Sequence, residues 1–164
     1  MAYSHYHRFT KAQKRIANKS DSLPQVSFSE LEPLQQFTVE IHKQLSLENL
    51  EFVDRSSQNL VDAICVQLKF PSVRVHVLER RPHDKESELH GLYEPVDETR
   101  LRARIYIWMR TAKRQQVVAF KTYMRTLVHE LCHHLDYEYY RLEDSVHTQG
   151  FFQRESNIVK QLIG

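Results

Sequence analysis

The stretch HELCHH, residues 129–134, is the most informative part of this chain because it contains the pattern H-E-x-x-H. Two histidines four positions apart lie one above the other on the same face of an α-helix, close enough to bind one metal ion. Glu130, between them, is placed to accept a proton from a water held by that ion. The pattern therefore predicts a hydrolytic zinc site with His129 and His133 as ligands and Glu130 as general base.

The flanking residues favour a long amphipathic helix. Residues 117–140 contain no Gly or Pro. Apolar residues recur there in steps of three and four, which is typical of one buried helical face: Phe120, Met124, Leu127, Val128, Leu131 and Leu135. At about 100° per residue, this face lies opposite His129 and His133, and Asp136 falls on the ligand side. Because the apolar residues and the histidines lie on opposite faces, a helix that carries histidines by chance is the weaker interpretation.

A catalytic zinc usually has three protein ligands and leaves the fourth position to water. The downstream candidates for the third ligand are Glu138, Glu143, Asp144, His147 and Glu155. Glu138 continues the same helix and points about a quarter-turn away from the histidine pair. His147 is preferred because it follows a polar stretch suited to a turn, residues 141–145, and opens a second amphipathic helical segment, residues 147–163. The predicted metal ligands are therefore His129, His133 and His147.

Together, HELCHH and the downstream HTQGFFQR, residues 147–154, resemble the SprT-like zinc metallopeptidases, a small zincin family. The pattern of that family is HExxH, then a third histidine after a short connection, and an aromatic residue four positions beyond it. Phe151 is that aromatic residue here, while Thr148 stands where the family commonly has Gly. The resemblance covers roughly residues 105–162.

The resemblance implies peptide-bond hydrolysis with Zn²⁺ as cofactor and a peptide or protein as substrate. It carries over His129, His133 and His147 as ligands and Glu130 as the base. It also implies a sheet above the HExxH helix whose edge strand pairs with an extended substrate. The candidate for that strand is LHGLYEP, residues 89–95.

The composition is ordinary for a soluble globular protein, with 41% apolar and 27% charged residues in 164. No run of 18 apolar residues exists and the N-terminus lacks the apolar core of a signal peptide, so we expect a cytoplasmic protein with no membrane contact. Cys65 and Cys132 show no paired spacing, which favours reduced thiols. The helical angle of Cys132 predicts packing rather than metal ligation.

The net charge is only +2, but residues 1–20 carry five basic side chains and no acidic one. We therefore divide the chain into a basic N-terminal arm, residues 1–24, and a single zincin-like metallopeptidase domain, residues 25–164. The default interpretation of the arm is a solvated, partly disordered segment. The alternative is an anchor on nucleic acid, whose phosphate contacts would make binding sensitive to salt.

The remaining segments predict an α+β fold, a small zincin-like domain with N-terminal helices, a three-stranded mixed sheet, the HExxH helix and a C-terminal helix. Amphipathic helices are expected at residues 34–45 and 52–68. Strands are expected at residues 72–79, 89–95 and 101–109. In the last strand Leu101, Ala103, Ile105, Ile107 and Met109 should face the core. Arg102, Arg104, Tyr106 and Trp108 should face outward, where they are either covered or offer cations and aromatic rings to a nucleic acid.

Two further functions stay open beside a general zinc peptidase. One is a DNA-associated protease acting on DNA-bound proteins, the role of several SprT-like relatives. The other is a non-enzymatic zinc-binding regulatory protein, against which Glu130 argues because a structural zinc site needs no base. Asp136 is either a hydrogen-bond partner of a ligand imidazole or a solvated helix residue. Candidates for oxyanion stabilisation are Tyr93, Tyr137, Tyr139, Tyr140 and His90.

Overall fold

The computed structural model describes residues 6–164, so Tyr3 and His5 of the predicted arm lie outside the described residues. Within that range the chain forms five α-helices and three β-strands, which confirms the predicted α+β class. After a 3-10 turn at Tyr6–Arg8, the order is α1 (Lys11–Ser22), α2 (Leu31–Ser46), α3 (Leu50–Leu68), β1 (Arg74–Arg80), β2 (Gly91–Glu94), β3 (Arg104–Arg110), α4 (Phe120–Glu138) and α5 (Gln149–Ile163). None of these helices is both long and apolar enough to cross a membrane.

The sheet is three-stranded and mixed, as predicted, with β3 in the centre. β1 runs parallel to β3, and β2 runs antiparallel to it on the other side. Tyr106 in β3 pairs with His76 of β1 and with Leu92 of β2. β2 is therefore an edge strand of four residues, and it belongs to the stretch expected to receive a substrate.

The core lies between the sheet and the helices. α3 packs against β1, and α4 packs against β2 and β3. Five of the six predicted apolar residues of α4 are at most 1% exposed, namely Met124, Leu127, Val128, Leu131 and Leu135, while Phe120 is partly buried. Burying one such side chain contributes roughly 1.5–3 kcal/mol. Tertiary packing therefore holds α4 in place. Cys132, 2% exposed, packs in this core as predicted.

Two expectations for the third strand are wrong. The strand begins at Arg104 rather than at residue 101, and Leu101, expected in the core, is 93% exposed. Asp97 accepts hydrogen bonds from the N–H groups of Thr99 and Arg100, both at 2.8 Å, and this local turn delays the start of β3. Trp108, on the opposite face from the core residues, is only 8% exposed, so the alternative of a covered face holds at this position.

The prediction of a solvated arm is wrong for residues 11–22, which form α1. Thr10 and Gln13 make a reciprocal capping box that starts the helix. Ala17 and Ser20, both 0% exposed, lie on the buried side of α1, which packs against α5. The buried face consists of small residues rather than a stripe of large apolar ones, so hydrophobic periodicity did not reveal it.

Candidate metal centre

His129 and His133 lie one turn apart on α4, with ring centroids 5.1 Å apart. Both are only partly buried, whereas the neighbouring Val128 and Leu131 are in the core. α4 has no side-chain N-cap, so burial of its apolar face fixes its position. That burial orients the two imidazoles towards the turn that joins α4 to α5.

The turn between α4 and α5 folds back over the end of α4. Arg141 adopts a left-handed conformation with φ of 58°. The N–H of Leu142 then donates to the carbonyl of Asp136 at 2.8 Å. Thr148 caps α5 by accepting from the N–H of Phe151 at 2.9 Å. The residue before this cap is thereby held beside α4.

That residue is His147. Its Nε2 lies 3.1 Å from Nε2 of His129 and 3.0 Å from Nε2 of His133. The ligand atoms of the three residues all lie within 4.8 Å of one another. The structure thus brings the three predicted ligands into one cluster that could hold a metal ion.

Hydrogen bonds behind the rings fix which nitrogen of each α4 histidine carries a proton. Nδ1 of His129 donates to Oε1 of Glu155 at 2.7 Å, because an ionised carboxylate only accepts. Ser145 donates its hydroxyl proton to Asp136 at 2.6 Å, so its Oγ accepts from Nδ1 of His133 at 2.7 Å. In each neutral ring Nε2 then keeps its lone pair, and both lone pairs face His147. A metal ligand requires this tautomer.

The electrostatics of the cluster favour the neutral form of two of the three imidazoles, those of His133 and His147. Burial, and then the positive charges that His129 and His147 carry when protonated, lower the pKa of His133 to about 3. Burial and His129 also lower the pKa of His147. Burial alone would lower the pKa of His129, but the hydrogen bond to Glu155 and the charges of Glu130 and Glu155 raise it overall. Neutral rings are the form that binds metal.

Glu130, on α4, lies against Gly91 of β2. A Cβ atom at Gly91 would lie 2.7 Å from Oε1 of Glu130 and 2.9 Å from Cγ2 of Thr126, so a larger residue there would require these neighbours to shift. Glu130 is 7% exposed. Its burial, only partly offset by His129, raises the pKa of its carboxyl to about 7.

Phe151 forms the floor of the cluster. It is fully buried, and its ring centroid lies 5.1 Å from that of His129, 4.8 Å from that of His133 and 5.2 Å from that of His147. This aromatic residue, four positions after His147, therefore packs against all three imidazoles.

The other candidates for a third ligand lie elsewhere. Glu155 is 5% exposed and sits behind His129 as a hydrogen-bond acceptor. Asp144 accepts from the hydroxyl of Tyr137 at 2.9 Å. Glu138 lies 3.5 Å from Arg141, and Glu143 is exposed on the turn.

Two of the candidates for oxyanion stabilisation line the cleft of about 380 Å³ at the histidine cluster, but both hydroxyls are engaged elsewhere. Nε2 of His134 donates to the carbonyl of Pro71 at 2.7 Å, so Nδ1 of His134 accepts from Tyr93 at 2.8 Å. Tyr137 donates to Asp144. His90, Tyr139 and Tyr140 do not belong to the residues that line this cleft.

Sequence reasoning missed two residues of the site and misplaced a third. Ser145 was part of a polar stretch with no feature that marked its hydroxyl as a partner of His133. Arg154 was one more basic residue of a helix, yet it is 2% exposed and contacts Asp136 at 3.4 Å. Asp136 fits neither alternative considered for it, since it is fully buried and reaches His133 only through Ser145.

The fold and the cluster define a candidate metal centre of the H-E-x-x-H type, built from one helix and the turn that follows it. No family model, no curated protein and no solved structure matches this chain. Inferences about its activity therefore rest on the chemistry of these residues.

Proposed function

We propose that the protein is a zinc-dependent metallopeptidase of the SprT-like kind. The observation that carries this proposal is the convergence of three imidazole nitrogens beside a buried carboxylate, Glu130, at the floor of an open cleft. Metal, base and room for a substrate are the parts that hydrolysis by a metal-activated water requires.

The donor set supports zinc. Two nitrogens bound to one tetrahedral zinc at 2.0–2.1 Å lie about 3.3 Å apart. The separations of 3.1 Å and 3.0 Å from His147 to the α4 histidines are close to that value. The ligand group found within residues 6–164 consists of the three histidines. A structural site in a regulatory protein would have a fourth protein ligand, so three ligands support a catalytic role.

Glu130 would move the proton during the reaction. Zinc bound by the histidines would supply Lewis acidity to the peptide carbonyl and lower the pKa of a water to about 7. The carboxylate of Glu130 accepts the proton that this water loses as it attacks, and donates it to the leaving amine nitrogen when the C–N bond breaks. A pKa raised by burial to about 7 matches this task, because the group can both take and release a proton near neutral pH.

The edge strand β2 supports a peptide as substrate. Gly91, Leu92 and Tyr93 line the cleft opposite His129 and His133. β2 pairs with β3 on one side only, so its other edge is available to an extended chain. Pairing through main-chain groups holds a peptide extended whatever its side chains.

The variant Glu130→Gln tests the role of the base. We expect it to bind zinc as the wild type does and to lose hydrolysis of a denatured protein substrate, because the amide cannot accept the proton. Glu143→Gln, at an exposed position on the turn, is the matched control and should cleave at the wild-type rate. A Glu130→Gln protein with an undiminished rate would remove Glu130 from the mechanism, and a wild type that binds zinc without cleaving would refute the proposed activity.

A DNA-associated protease is a second candidate, supported by α1. Lys11, Arg15 and Lys19 recur every four residues along this helix and are all exposed, so they form one basic stripe. Binding of DNA through such a stripe would weaken with salt, and replacing all three by Ala should reduce the salt slope by about 3. Electrophoretic mobility shifts at several salt concentrations measure this, and equal slopes for variant and wild type would exclude α1 as the contact.

A further inference from the structure

A chain of polar contacts leads from His133, through Ser145, away from the cleft and into the interior. Beyond Ser145, the carboxylate of Asp136 lies 3.4 Å from Nη2 of Arg154. Asp136 is fully buried and Arg154 is 2% exposed. Arg154 also donates from Nη1 to the carbonyl of Ser20 at 2.6 Å and from Nη2 to Oγ of Ser20 at 2.9 Å. The chain therefore ends on α1.

The end of α1 also contacts the residues that follow His147. The hydroxyls of Ser20 and Thr148 are 2.9 Å apart, and the N–H of Gly150 donates to Oδ1 of Asp21 at 2.7 Å. A Cβ atom at Gly150 would lie 2.8 Å from Cα of Asp21, so α1 and α5 meet without space for a side chain. α1 therefore contacts both Arg154 and the residues that directly follow His147.

We infer that Ser145, Asp136 and Arg154 are positioning residues that fix the ring orientation and the tautomer of His133. We call this series of hydrogen bonds the relay, and Ser20 of α1 holds its far end by binding Arg154. The inference rests on the metal-binding part of the proposed function. It assigns a role to three residues outside the ligand set and to a helix distant in sequence from the H-E-x-x-H stretch.

The physical argument concerns the direction of each proton. Arg154 is always charged, and its contact with Asp136 favours the ionised carboxylate, which only accepts hydrogen bonds. Asp136 takes the single hydroxyl proton of Ser145, so the oxygen of Ser145 presents a lone pair to Nδ1–H of His133. Nε2 of His133 is then free to bind an ion. The ring contact with Phe151 restrains the plane of His133 but is indifferent to which nitrogen carries the proton.

The relay also gives a reason for the buried ion pair of Asp136 and Arg154, whose burial costs solvation free energy. A buried ion pair is poor evidence of stabilisation, because removing both charges from water offsets most of their attraction. Asp136 and Arg154 are such a pair. Asp136 also binds Ser145, the partner of His133, and Arg154 also binds Ser20 of α1.

The test compares Ser145→Ala with Ser145→Thr in the full chain. Affinity for zinc is measured by competition with a chelator, and the visible spectrum of the Co²⁺-loaded protein reports ligand geometry. We expect Ser145→Ala to bind zinc 10–100-fold more weakly, the usual effect of losing such a partner, with an altered Co²⁺ spectrum. Ser145→Thr retains the hydroxyl and should restore both, and Glu143→Ala is the matched control on the same turn.

Ser20→Ala tests the link to α1. Arg154→Lys is a second variant, which keeps the buried positive charge but loses the two guanidinium nitrogens that bind Ser20 and Asp136. Both should weaken zinc binding by less than Ser145→Ala does, because they act at greater distance. A lower melting temperature with wild-type zinc affinity and Co²⁺ spectrum would show that α1 only stabilises the fold.

Failure of the relay is distinguishable from failure of the proposed activity. If Ser145→Ala binds zinc with wild-type affinity and spectrum, the relay is refuted whatever the protein hydrolyses. If the wild type binds zinc tightly and cleaves no peptide bond, the relay stands on its affinity data and only the peptidase proposal falls. A wild type with no affinity for zinc or Co²⁺ would overturn both.

Discussion

The variant Gly91→Ala should displace Glu130, the proposed base, without touching a proposed metal ligand. The added Cβ would lie 2.7 Å from Oε1 of Glu130, 2.9 Å from Cγ2 of Thr126 and 3.0 Å from Cγ of Glu130, whereas ordinary contact begins at 3.4 Å. Either the Glu130 carboxylate or β2 must therefore move by about 0.7 Å, the difference between 3.4 and 2.7 Å. A misplacement near 1 Å costs on the order of 100-fold in rate. We expect a loss of that order in kcat with unchanged zinc content.

The assay is cleavage of a denatured protein substrate, with zinc content measured on the same sample. Thr126→Ser is the control, since it removes Cγ2 and keeps the hydroxyl that donates to the carbonyl of Thr122 at 3.0 Å. The double variant Gly91→Ala/Thr126→Ser should recover part of the lost rate because one of the close contacts is gone. A Gly91→Ala protein with the wild-type kcat would refute the argument that this glycine sets the position of Glu130.

Two further predictions concern the metal and the pH dependence of stability. His147→Ala should weaken zinc binding by more than the 10–100-fold typical of an outer partner, since it removes a proposed ligand, whereas Glu143→Ala should leave the affinity unchanged in the same chelator competition. The reverse result would assign the third position to Glu143. In the metal-free protein, the pKa of Glu130 is raised from 4.5 to about 7, so the folded state binds this proton more tightly than the unfolded state does. The wild type should therefore gain stability relative to Glu130→Gln as the pH falls from 7 towards 4.5. Above pH 7 the variant should be more stable by up to about 3 kcal/mol, at about 1.4 kcal/mol per pKa unit. Urea unfolding of both proteins at several pH values measures this, and a difference independent of pH would contradict it.

The three parts of the site differ in how far they could be predicted from the amino-acid sequence. His129 and His133 could be placed together because helical spacing is local and needs no knowledge of the rest of the fold. The approach of His147 could be anticipated from a polar turn between two amphipathic segments. The partners behind the rings could not be anticipated. Ser145 meets His133 because the turn after α4 folds back, and Glu155 meets His129 because α5 packs on α4, and neither contact leaves a periodic signal.

The difference between local spacing and tertiary contacts also explains the errors in the predicted fold. The alternation in residues 101–109 was real, but it did not reveal that the turn at Asp97 would leave Leu101 in solvent. Residues 11–22 are typical of a solvated arm because they are basic and contain a single large apolar residue, Ile16. Their burial depends on Ala17 and Ser20, which pack only because α5 provides a complementary surface.

The amino-acid sequence by itself determined the α+β class, the buried face of α4 and the histidines that could share an ion, since these follow from periodicities of two and 3.6 residues within single elements. The tertiary structure alone decided that β2 covers Glu130 at Gly91, that Glu155 and Ser145 fix the imidazole tautomers, and that α1 reaches the centre through Arg154. Those contacts join residues from 12 to 134 positions apart. Only the packing of complete elements brings such residues within hydrogen-bonding distance, because a hydrogen bond extends about 3 Å and has no counterpart in the local pattern of a chain.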